Sequence, residues 1–389
     1  MGVDMDYLSA TAAAAAAFLL VWVLTPAVER WARARGLLDR PEGRHLHPKP
    51  VPRLGGIALF LGWVAGGAVL WMLGEPSSML LRVGAGVVII FAVGLIDDLR
   101  TLTPRAKLAG QLLAAGVSVA LGLRIEFLSL PSFIGGPHGL EQIVYLGPWS
   151  VPITLLWLVG VTNAVNLLDG LDGLAAGVVA IAAVPTLLAA ASRGLADPAA
   201  LLMVLAAGCV AFLRYNFSPA RIFMGDSGAL TLGFAFAAAS ALGSAKGPAV
   251  LAMLVPVLSL GVPLFDTAWA VVRRSMARRP LGEADNGHLH YRLLARWQAP
   301  RQVVLALYGV SAALGSLALL VTPQSRMSLV PPLGLLAVAA MMIVRVAWDQ
   351  RSRPHRVEGE GWADGRSGGH ADLRHPARGH QARARYQGS

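Results

Sequence analysis

The recurrence of long apolar runs constrains this chain more than any other feature. A helix needs roughly 20 apolar residues to cross a bilayer, and the sequence contains eleven runs of about that length. They predict an all-α, polytopic membrane helix bundle with about eleven transmembrane helices. The predicted spans are residues 8–28, 54–73, 80–96, 107–123, 149–165, 174–192, 199–214, 228–243, 248–272, 303–322 and 328–348. Only 14% of the residues are charged, too few to cover a water-soluble protein of this length.

The basic residues predict the orientation of these spans. With eleven spans, 28 of the 33 Lys and Arg residues fall on one side of the membrane. Positively charged segments stay in the cytoplasm, so we expect that side to be cytoplasmic and the N-terminus to lie outside. The first residues carry Asp4 and Asp6 without a basic residue, unlike a secretory signal peptide. We therefore expect the first span to be retained.

Composition also predicts the character of the segments outside the spans. Residues 1–348 are predicted to form the membrane domain, and residues 349–389 a disordered cytoplasmic tail, because the tail is rich in Arg, Gly and His and poor in aliphatic residues. The outer loop 124–148 is expected to hold a short hairpin or an amphipathic segment. The net charge of +11 comes without a helical stripe or aromatic platform, so no nucleic-acid partner is expected. Cys209 is alone and cannot form an intrachain disulfide.

Two adjacent carboxylates, Asp97 and Asp98, end the third apolar run within the segment Gly94–Arg100. Ionisable residues at membrane depth are costly and are therefore candidates for function. The two like charges repel each other, and a divalent cation or a basic ligand relieves that repulsion. The pair alone equally fits the start of an ordinary loop.

A second polar cluster follows the fifth run. Asn163, Asn166, Asp169 and Asp172 are spaced by three, which on a helix places their oxygen atoms along one side. Amide and carboxylate oxygens suit Mg²⁺ and also a nucleobase or a sugar. Capping of the next helix by Asp172 explains one of these residues but not four.

The third cluster is Gly-Asp-Ser-Gly, residues 225–228, directly before an apolar run. This pattern predicts a helix N-terminus whose backbone amides face an anion. Asp226 would repel a bare phosphate, so a metal that bridges Asp226 to phosphates fits better. A simple Asp or Ser helix cap is the alternative.

Basic and imidazole side chains supply the remaining candidates. His288, His290 and Arg292 lie in the most basic loop, where contact with a diphosphate accounts for them better than zinc binding. The segment before the second span carries a further basic set, His47, Lys49 and Arg53. Asp266, near the end of the ninth span, either pairs with a nearby Arg or supports the pocket by holding a cationic group.

Taken together, the clusters describe a cytoplasmic pocket with carboxylates, a metal and flanking cations. Such a pocket suits Mg²⁺-dependent phosphoryl transfer, in which positioning and charge neutralisation do most of the catalysis. The chain contains no Gly-x-x-x-x-Gly-Lys-Ser/Thr segment, which excludes a P-loop enzyme.

These four clusters, in this order and at these spacings, resemble the polyprenyl-phosphate N-acetylhexosamine-1-phosphate transferases of glycosyltransferase family 4. The resemblance covers about residues 40–322. Pro52–Gly56 and Gly287–His290 look more similar to the GlcNAc-1-phosphate branch than to the phospho-MurNAc-pentapeptide branch. The resemblance implies transfer of GlcNAc-1-phosphate from a UDP-N-acetylhexosamine to undecaprenyl phosphate in a bacterial inner membrane, with release of UMP.

The resemblance also implies roles for individual residues. Asp226 and Asn166 resemble ligands of Mg²⁺, with Mn²⁺ as the alternative. Asp97, assisted by Asp98, resembles the group that deprotonates or orients the lipid phosphate. Asp169, Asp172 and Asn163 resemble residues near the nucleoside and the sugar. The residues that resemble phosphate or substrate contacts are His47, Lys49, Arg53, Lys107, His288, His290 and Arg292.

Two departures from the family pattern and three alternatives remain. Pro48 follows His47 where Lys is frequent, and Tyr291 stands where a second consecutive His is frequent.

Transfer of phospho-MurNAc-pentapeptide or of another sugar is the alternative within this reaction class, and a transporter is the alternative outside it. The sequence shows no internal repeat, and its polar residues crowd one face, which disfavours a transporter. A homodimer is compatible with the sequence, which does not fix the oligomeric state.

Overall fold

The computed structural model describes residues 2–39, 50–73, 78–130, 142–242, 253–277, 287–321 and 330–351. The chain up to Trp348 forms one compact unit. Residues from 352 on lie outside the described part of the chain. The disorder predicted for the tail therefore stays a prediction. Within the described residues the α-helices are α1 (Gly2–Ala34), α2 (Gly56–Leu73), α3 (Ser78–Arg100), α4 (Pro104–Ala120), α5 (Ser150–Leu168), α6 (Leu174–Ser192), α7 (Ala196–Asn216), α8 (Gly225–Leu242), α9 (Leu254–Ser259), α10 (Gly261–Met276), α11 (Leu289–Trp297), α12 (Pro300–Val321) and α13 (Val330–Arg351).

Two short antiparallel hairpins and one 3₁₀ turn accompany the helices. Strands β1 (Leu38–Asp39) and β2 (Val51–Pro52) pair directly before α2. Strands β3 (Phe127–Leu130) and β4 (Gln142–Tyr145) pair in the loop between α4 and α5, which confirms the hairpin expected in that loop. The 3₁₀ turn, Gly147–Trp149, leads into α5.

The all-α membrane architecture is confirmed. Within the described residues each predicted span consists mostly of helix, although the ninth is divided at Leu260 between α9 and α10. Seven helices of the described residues are long and apolar enough to cross a membrane. They cover Tyr7–Ala34, Gly56–Leu73, Ser78–Arg100, Gly147–Leu168, Leu174–Ser192, Ala196–Asn216 and Pro300–Val321. The count of eleven spans and their orientation stay predictions.

Helix α8 lies at the centre of the bundle. All of its side chains from Ser227 to Leu242 are buried, and it packs against α2, α3, α5 and α7. Close crossings at its first turn depend on glycine, as small residues allow in lipid. A Cβ atom on Gly94 of α3 would lie 2.6 Å from the Cα atom of Ser227, and one on Gly56 of α2 would collide with the backbone of Gly228. The N-terminus of α8 is thereby held between two other helices.

Local sequence explains why the helices around this point begin and end where they do. Thr103 caps α4 by accepting a hydrogen bond from the amide of Ala106 at 3.3 Å, and Pro104 suits the first helical position. Helix α5 ends at Asp169. The chain then turns through Gly173, whose φ of +78° favours glycine, before α6 begins. The polar ends of α3, α5 and α8 consequently meet in one region.

Candidate active site

A cavity of about 430 Å³ lies where these helix ends meet. Its volume falls within the range of small-molecule sites. Six of the predicted site residues line it: Arg53, Asp98, Asn166, Asp169, Asp172 and Asp226. Other lining residues are Asp39, Leu171, Phe223, Tyr291 and Leu294.

Asp226, at the start of α8, links three further helices. Its Oδ1 atom lies 2.7 Å from Nζ of Lys107 on α4 and accepts a hydrogen bond from Nδ2 of Asn166 on α5. The same Lys107 ammonium lies 3.0 Å from Oδ2 of Asp97 on α3. One cation thus bridges two carboxylates brought from separate helices. Predicted candidates from four segments of the chain converge at this point.

Asp98 has a different environment from its neighbour Asp97. Its two carboxylate oxygens accept hydrogen bonds from the backbone amides of Asp226, at 2.8 Å, and of Ser227, at 3.0 Å. These amides are the free donors at the N-terminus of α8. The prediction that they face an anion is confirmed, but the anion is Asp98 of the same chain and not a substrate phosphate. Asp98 therefore positions Asp226.

The turn before α8 permits this arrangement. Gly225 has a φ of +69°, and a Cβ atom there would collide with the carbonyl oxygen of Arg53 and the carboxylate of Asp98. The Arg53 guanidinium in turn donates to the carbonyl oxygen of Asp98. Only glycine fits this position, which brings the β2 segment, α3 and α8 together.

Asn163 does not line the cavity. Its side chain exchanges hydrogen bonds with the amide of Gln111 on α4, and its Nδ2 atom also donates to the Val159 carbonyl at 2.8 Å. The spacing of three predicted one shared face for Asn163, Asn166, Asp169 and Asp172. Asn163 lies one turn deeper in α5 than Asn166, on the side that faces α4, and its contact with a substrate stays a prediction.

Asp169 and Asp172 follow the end of α5 and lie at the cavity wall. In the described part of the chain, no donor forms a hydrogen bond with the Asp169 carboxylate. Burial, together with the nearby carboxylates of Asp226, Asp98 and Asp172, raises the pKa of Asp169 to about 8. Asp172 accepts a hydrogen bond from the amide of Ala220 at 2.9 Å. It does not cap α6, whose cap residue is Gly173.

The donor set fits a magnesium ion that is shared with a phosphate ligand. Within the described residues no three His, Cys, Asp or Glu side chains form a preassembled metal centre. Mg²⁺ is usually held by one or two carboxylates together with substrate phosphates and water. Asp226, Asn166 and Asp169 supply hard oxygen atoms at one wall of the cavity, and the Asp169 carboxylate there lacks a donor. Mn²⁺ accepts the same oxygen ligands.

His288 is fixed by Asp266. The Nδ1 atom of His288 lies 2.9 Å from Oδ2 of Asp266 on α10, and Oδ1 of Asp266 accepts from the amide of Leu289 at 2.9 Å. Both side chains of the pair are buried. Of the two interpretations of Asp266, the structure favours the one in which it supports the site, because Asp266 anchors the start of α11.

His290 lies between His288 and Tyr291. Its ring centroid is 5.8 Å from that of His288 and 4.2 Å from that of Tyr291. Neither ring nitrogen has a hydrogen-bond partner within the described residues. Burial and the neighbouring His288 lower the pKa of His290 to about 4, so the imidazole is neutral near pH 7. Arg292 is exposed and does not line the cavity.

Comparison with known proteins identifies the family. The chain is 39% identical over 290 residues to a probable undecaprenyl-phosphate N-acetylglucosaminyl 1-phosphate transferase of Bacillus subtilis, which covers 75% of this chain and 78% of the relative. The chain belongs to glycosyl transferase family 4. The profile of that family matches residues 80–244.

Two further proteins with related names are also similar to this chain. A decaprenyl-phosphate N-acetylglucosaminephosphotransferase of Mycobacterium tuberculosis is 37% identical over 75% of this chain and 77% of its own length. A phospho-N-acetylmuramoyl-pentapeptide-transferase of Thermotoga petrophila is 31% identical over 79% of this chain and 97% of its own length. The family resemblance predicted from the sequence is thereby confirmed.

The region matched by the glycosyl transferase family 4 profile contains the residues that meet around Asp226. Helix α11, with its His residues, lies after the matched region. Predicted candidates His47 and Lys49 lie outside the described residues.

Sequence reasoning missed two residues that the structure adds to the site. Asp39 lines the cavity from β1, and Gln111 holds Asn163. The signal for Gln111 was present, since a polar residue interrupts an apolar run four positions after Lys107.

Proposed function

We propose that this protein transfers GlcNAc-1-phosphate from UDP-GlcNAc to undecaprenyl phosphate and releases UMP. The names of the Bacillus and Mycobacterium relatives support this reaction, because both contain a polyprenyl phosphate and an N-acetylglucosamine phosphate group. The product, a lipid-diphosphate-sugar, would start the synthesis of a cell-envelope polysaccharide such as teichoic acid or lipopolysaccharide.

The convergence at Asp226 is the observation that carries this proposal. Four helices place Asp97, Lys107, Asn166 and Asp226 in contact, directly beside a cavity lined by further carboxylates. Phosphoryl transfer needs positioned groups and neutralised charge more than it needs a protein nucleophile. A cavity of this kind at the end of a helix bundle suits a nucleotide-sugar that meets a lipid phosphate.

The bonds that form and break in this reaction determine which charges the site must stabilise. An oxygen of the lipid phosphate attacks the β-phosphorus of UDP-GlcNAc, and the bond from that phosphorus to the bridging oxygen breaks. UMP leaves with the electron pair, and a new diphosphate links lipid and sugar. Lys107 lies where it can offset charge near Asp226, and Arg53 supplies a second cation at the cavity wall.

Magnesium is part of the proposal. Asp226, Asn166 and Asp169 would hold the ion, and Mn²⁺ is the alternative. A bound Mg²⁺ would neutralise diphosphate charge and orient the leaving group. Asp98 would act indirectly, because its carboxylate fixes the backbone that carries Asp226.

We also propose that the cavity faces the cytoplasm in the bacterial inner membrane. The asymmetry of Lys and Arg supports this orientation, with 28 of 33 on the side that contains the site. Reporter fusions after residues 100 and 279 should give cytoplasmic signals, and fusions after residues 74 and 193 external ones. A cytoplasmic signal after residue 193 would show that the spans are miscounted.

The reaction is tested by release of UMP from purified full-length protein in detergent. The donors are UDP-GlcNAc, UDP-GalNAc and UDP-MurNAc-pentapeptide, and the acceptors are undecaprenyl and decaprenyl phosphate. We expect UMP with UDP-GlcNAc and undecaprenyl phosphate, only when Mg²⁺ or Mn²⁺ is present. Turnover only with UDP-MurNAc-pentapeptide would overturn the sugar assignment. Transport of labelled substrate across liposomes without UMP would overturn the enzyme assignment.

A pair of variants controls this assay. Asp226→Asn removes a charged oxygen ligand and should reduce turnover below one thousandth. Asp197→Asn removes an exposed carboxylate at the start of α7 and should retain full turnover. Near-normal turnover of Asp226→Asn at ample Mg²⁺ would contradict the assignment of Asp226.

A further inference from the structure

Four exposed arginines cluster outside the candidate active site. Arg30 and Arg33 lie near the end of α1, Arg214 lies in the last turn of α7, and Arg221 lies in the loop before α8. We refer to these four residues as the arginine patch. Helices α1 and α7 pack directly against each other, and none of the four arginines lines the active-site cavity.

A single buried carboxylate organises the arginine patch. The Glu29 side chain is only 9% exposed, and its two oxygens lie 3.3 Å from Arg33 and 3.0 Å from Arg221. Arg33 also donates to the carbonyl oxygen of Arg221 at 3.4 Å. Glu29 offsets one of four positive charges. The patch therefore keeps an excess of positive charge while two of its guanidinium groups are held in place.

Aromatic contacts orient the other side of the patch. The guanidinium carbons of Arg214 and Arg221 lie 6.0 Å and 5.5 Å from the ring centroid of Tyr215. The Tyr215 hydroxyl donates to the Trp22 carbonyl on α1. The side chains of Arg33 and Arg221 remain 47% and 53% exposed, so N–H donors remain available to a ligand.

The surroundings of the patch indicate a membrane–water boundary. The apolar run of α1 ends at Val28, directly before Glu29 and Arg30, and the helix itself ends at Ala34. Trp22 and Trp31 on the same helix are exposed, and exposed Trp residues are enriched at the headgroup level of membranes. Arg221 lies in the α7–α8 connection and Asp226 in the first turn of α8 directly after it, so the patch lies on the same side of the bilayer as the cavity.

We propose that the arginine patch binds the phosphodiester headgroup of an anionic phospholipid such as phosphatidylglycerol. Guanidinium groups bind phosphate oxygens in a bidentate fashion, and the excess positive charge matches an anionic headgroup. The acyl chains would lie along the exposed apolar surface of α1. A phospholipid fits this surface better than the polyprenyl phosphate substrate does, because the patch does not reach the cavity. This inference does not depend on the proposed reaction.

Native mass spectrometry of the full-length protein tests the proposal. The protein is titrated with phosphatidylglycerol, phosphatidylcholine or undecaprenyl phosphate, and bound lipids are counted. Arg214→Gln is the first variant, because within the described residues the Arg214 side chain contacts only the face of the Tyr215 ring, so folding should be retained. Each Arg near an anionic surface contributes about fivefold in affinity, so this variant should bind phosphatidylglycerol about fivefold more weakly. The Arg33→Gln/Arg214→Gln double variant should lose more.

The matched control is the double variant Arg105→Gln/Arg296→Gln, which removes two exposed arginines elsewhere. It should retain wild-type affinity for phosphatidylglycerol. Equal losses in both double variants would overturn the proposal, as would equal binding of phosphatidylcholine by the wild type. An equal loss of undecaprenyl phosphate binding would overturn the choice of phospholipid. Displacement of the lipid by millimolar inorganic phosphate would show a simple anion site.

Discussion

Replacement of Asp98 by Asn tests whether this carboxylate positions Asp226 or takes part in the chemistry. Asp98 is buried, with 5% exposure, and accepts hydrogen bonds from the amides of Asp226 and Ser227. In Asp98→Asn one acceptor oxygen becomes an NH₂ group, which faces an N–H donor. The backbone of α8 then has one amide without an acceptor.

The loss of folding stability in Asp98→Asn can be estimated from these contacts. A hydrogen bond to a charged group contributes about 1.5–3 kcal/mol, and a buried donor left unpaired costs about 1–3 kcal/mol. The carboxylate also stabilises the positive end of the α8 dipole by about 0.3–1 kcal/mol. These effects overlap, so we expect Asp98→Asn to destabilise the protein by about 2–4 kcal/mol. For a chain of this size the melting temperature should fall by on the order of 5 °C.

Thermal unfolding in detergent and UMP release measure the two consequences together. The adjacent Asp97→Asn variant is the matched control, because among the described residues the one backbone amide that donates to the Asp97 carboxylate is that of Leu102, beyond the end of α3, and no α8 amide depends on it. We expect both variants to lose turnover but Asp98→Asn to lose clearly more stability. A wild-type melting temperature for Asp98→Asn together with lost turnover would refute the positioning role and assign Asp98 to the chemistry.

Three further variants test the supporting residues. Gln111→Leu should reduce turnover about tenfold without loss of expression, because it breaks the α4–α5 amide pair with Asn163; wild-type kcat would contradict this. Asp266→Asn should reduce turnover and not expression, because His288 loses its carboxylate partner, and unchanged kinetics would make Asp266 an ordinary helix-end residue. The raised pKa of Tyr291, caused by burial and by a nearby carboxylate, keeps its hydroxyl protonated. Tyr291→His should add an inflection to the pH–rate profile near pH 6.5, the ordinary pKa of His, and an unchanged profile would exclude contact with the reacting groups.

The apolar runs were sufficient to predict the helices, since a bilayer-spanning segment must satisfy its backbone within itself. They could not show that the ninth run is divided at Leu260. Hydropathy reports the average character of a segment and not the continuity of its hydrogen bonds. Pro256 and Pro263 were the visible signs of an interruption, and both lie in the first turns of α9 and α10.

The polar ends of the runs were also sufficient to predict which segments meet at the site. Sequence spacing could not predict the partner of each side chain. The Gly-Asp-Ser-Gly pattern indicated that backbone amides face an anion but not that Asp98 is that anion, and Asn163 binds Gln111 across a helix interface. Asp39 escaped notice because its two-residue strand is too short to show a pattern. Such contacts depend on helix crossings that one sequence does not specify.

The contacts of Asp97 bear on how the lipid phosphate becomes reactive. Its carboxylate lies 3.0 Å from the Lys107 ammonium and accepts a hydrogen bond from the amide of Leu102. Both carboxylate oxygens of Asp97 are thus already engaged by donors, whereas a general base needs a free oxygen beside the group that loses its proton. A phosphate monoester has a second pKa near 6 and is already largely dianionic at neutral pH.

A positioning role for Asp97 follows, in which it orients Lys107 between the two carboxylates. The rate loss of Asp97→Asn should then be nearly constant from pH 6 to pH 9. A base would instead be replaced at high pH by the ionisation of the lipid itself, and the variant would recover part of its rate above about pH 8. A pH–rate profile in detergent at saturating Mg²⁺ distinguishes these outcomes, with Asp197→Asn as the control for effects of pH on the assay. A steep recovery at high pH would show that Asp97 acts as a base despite its ion pair.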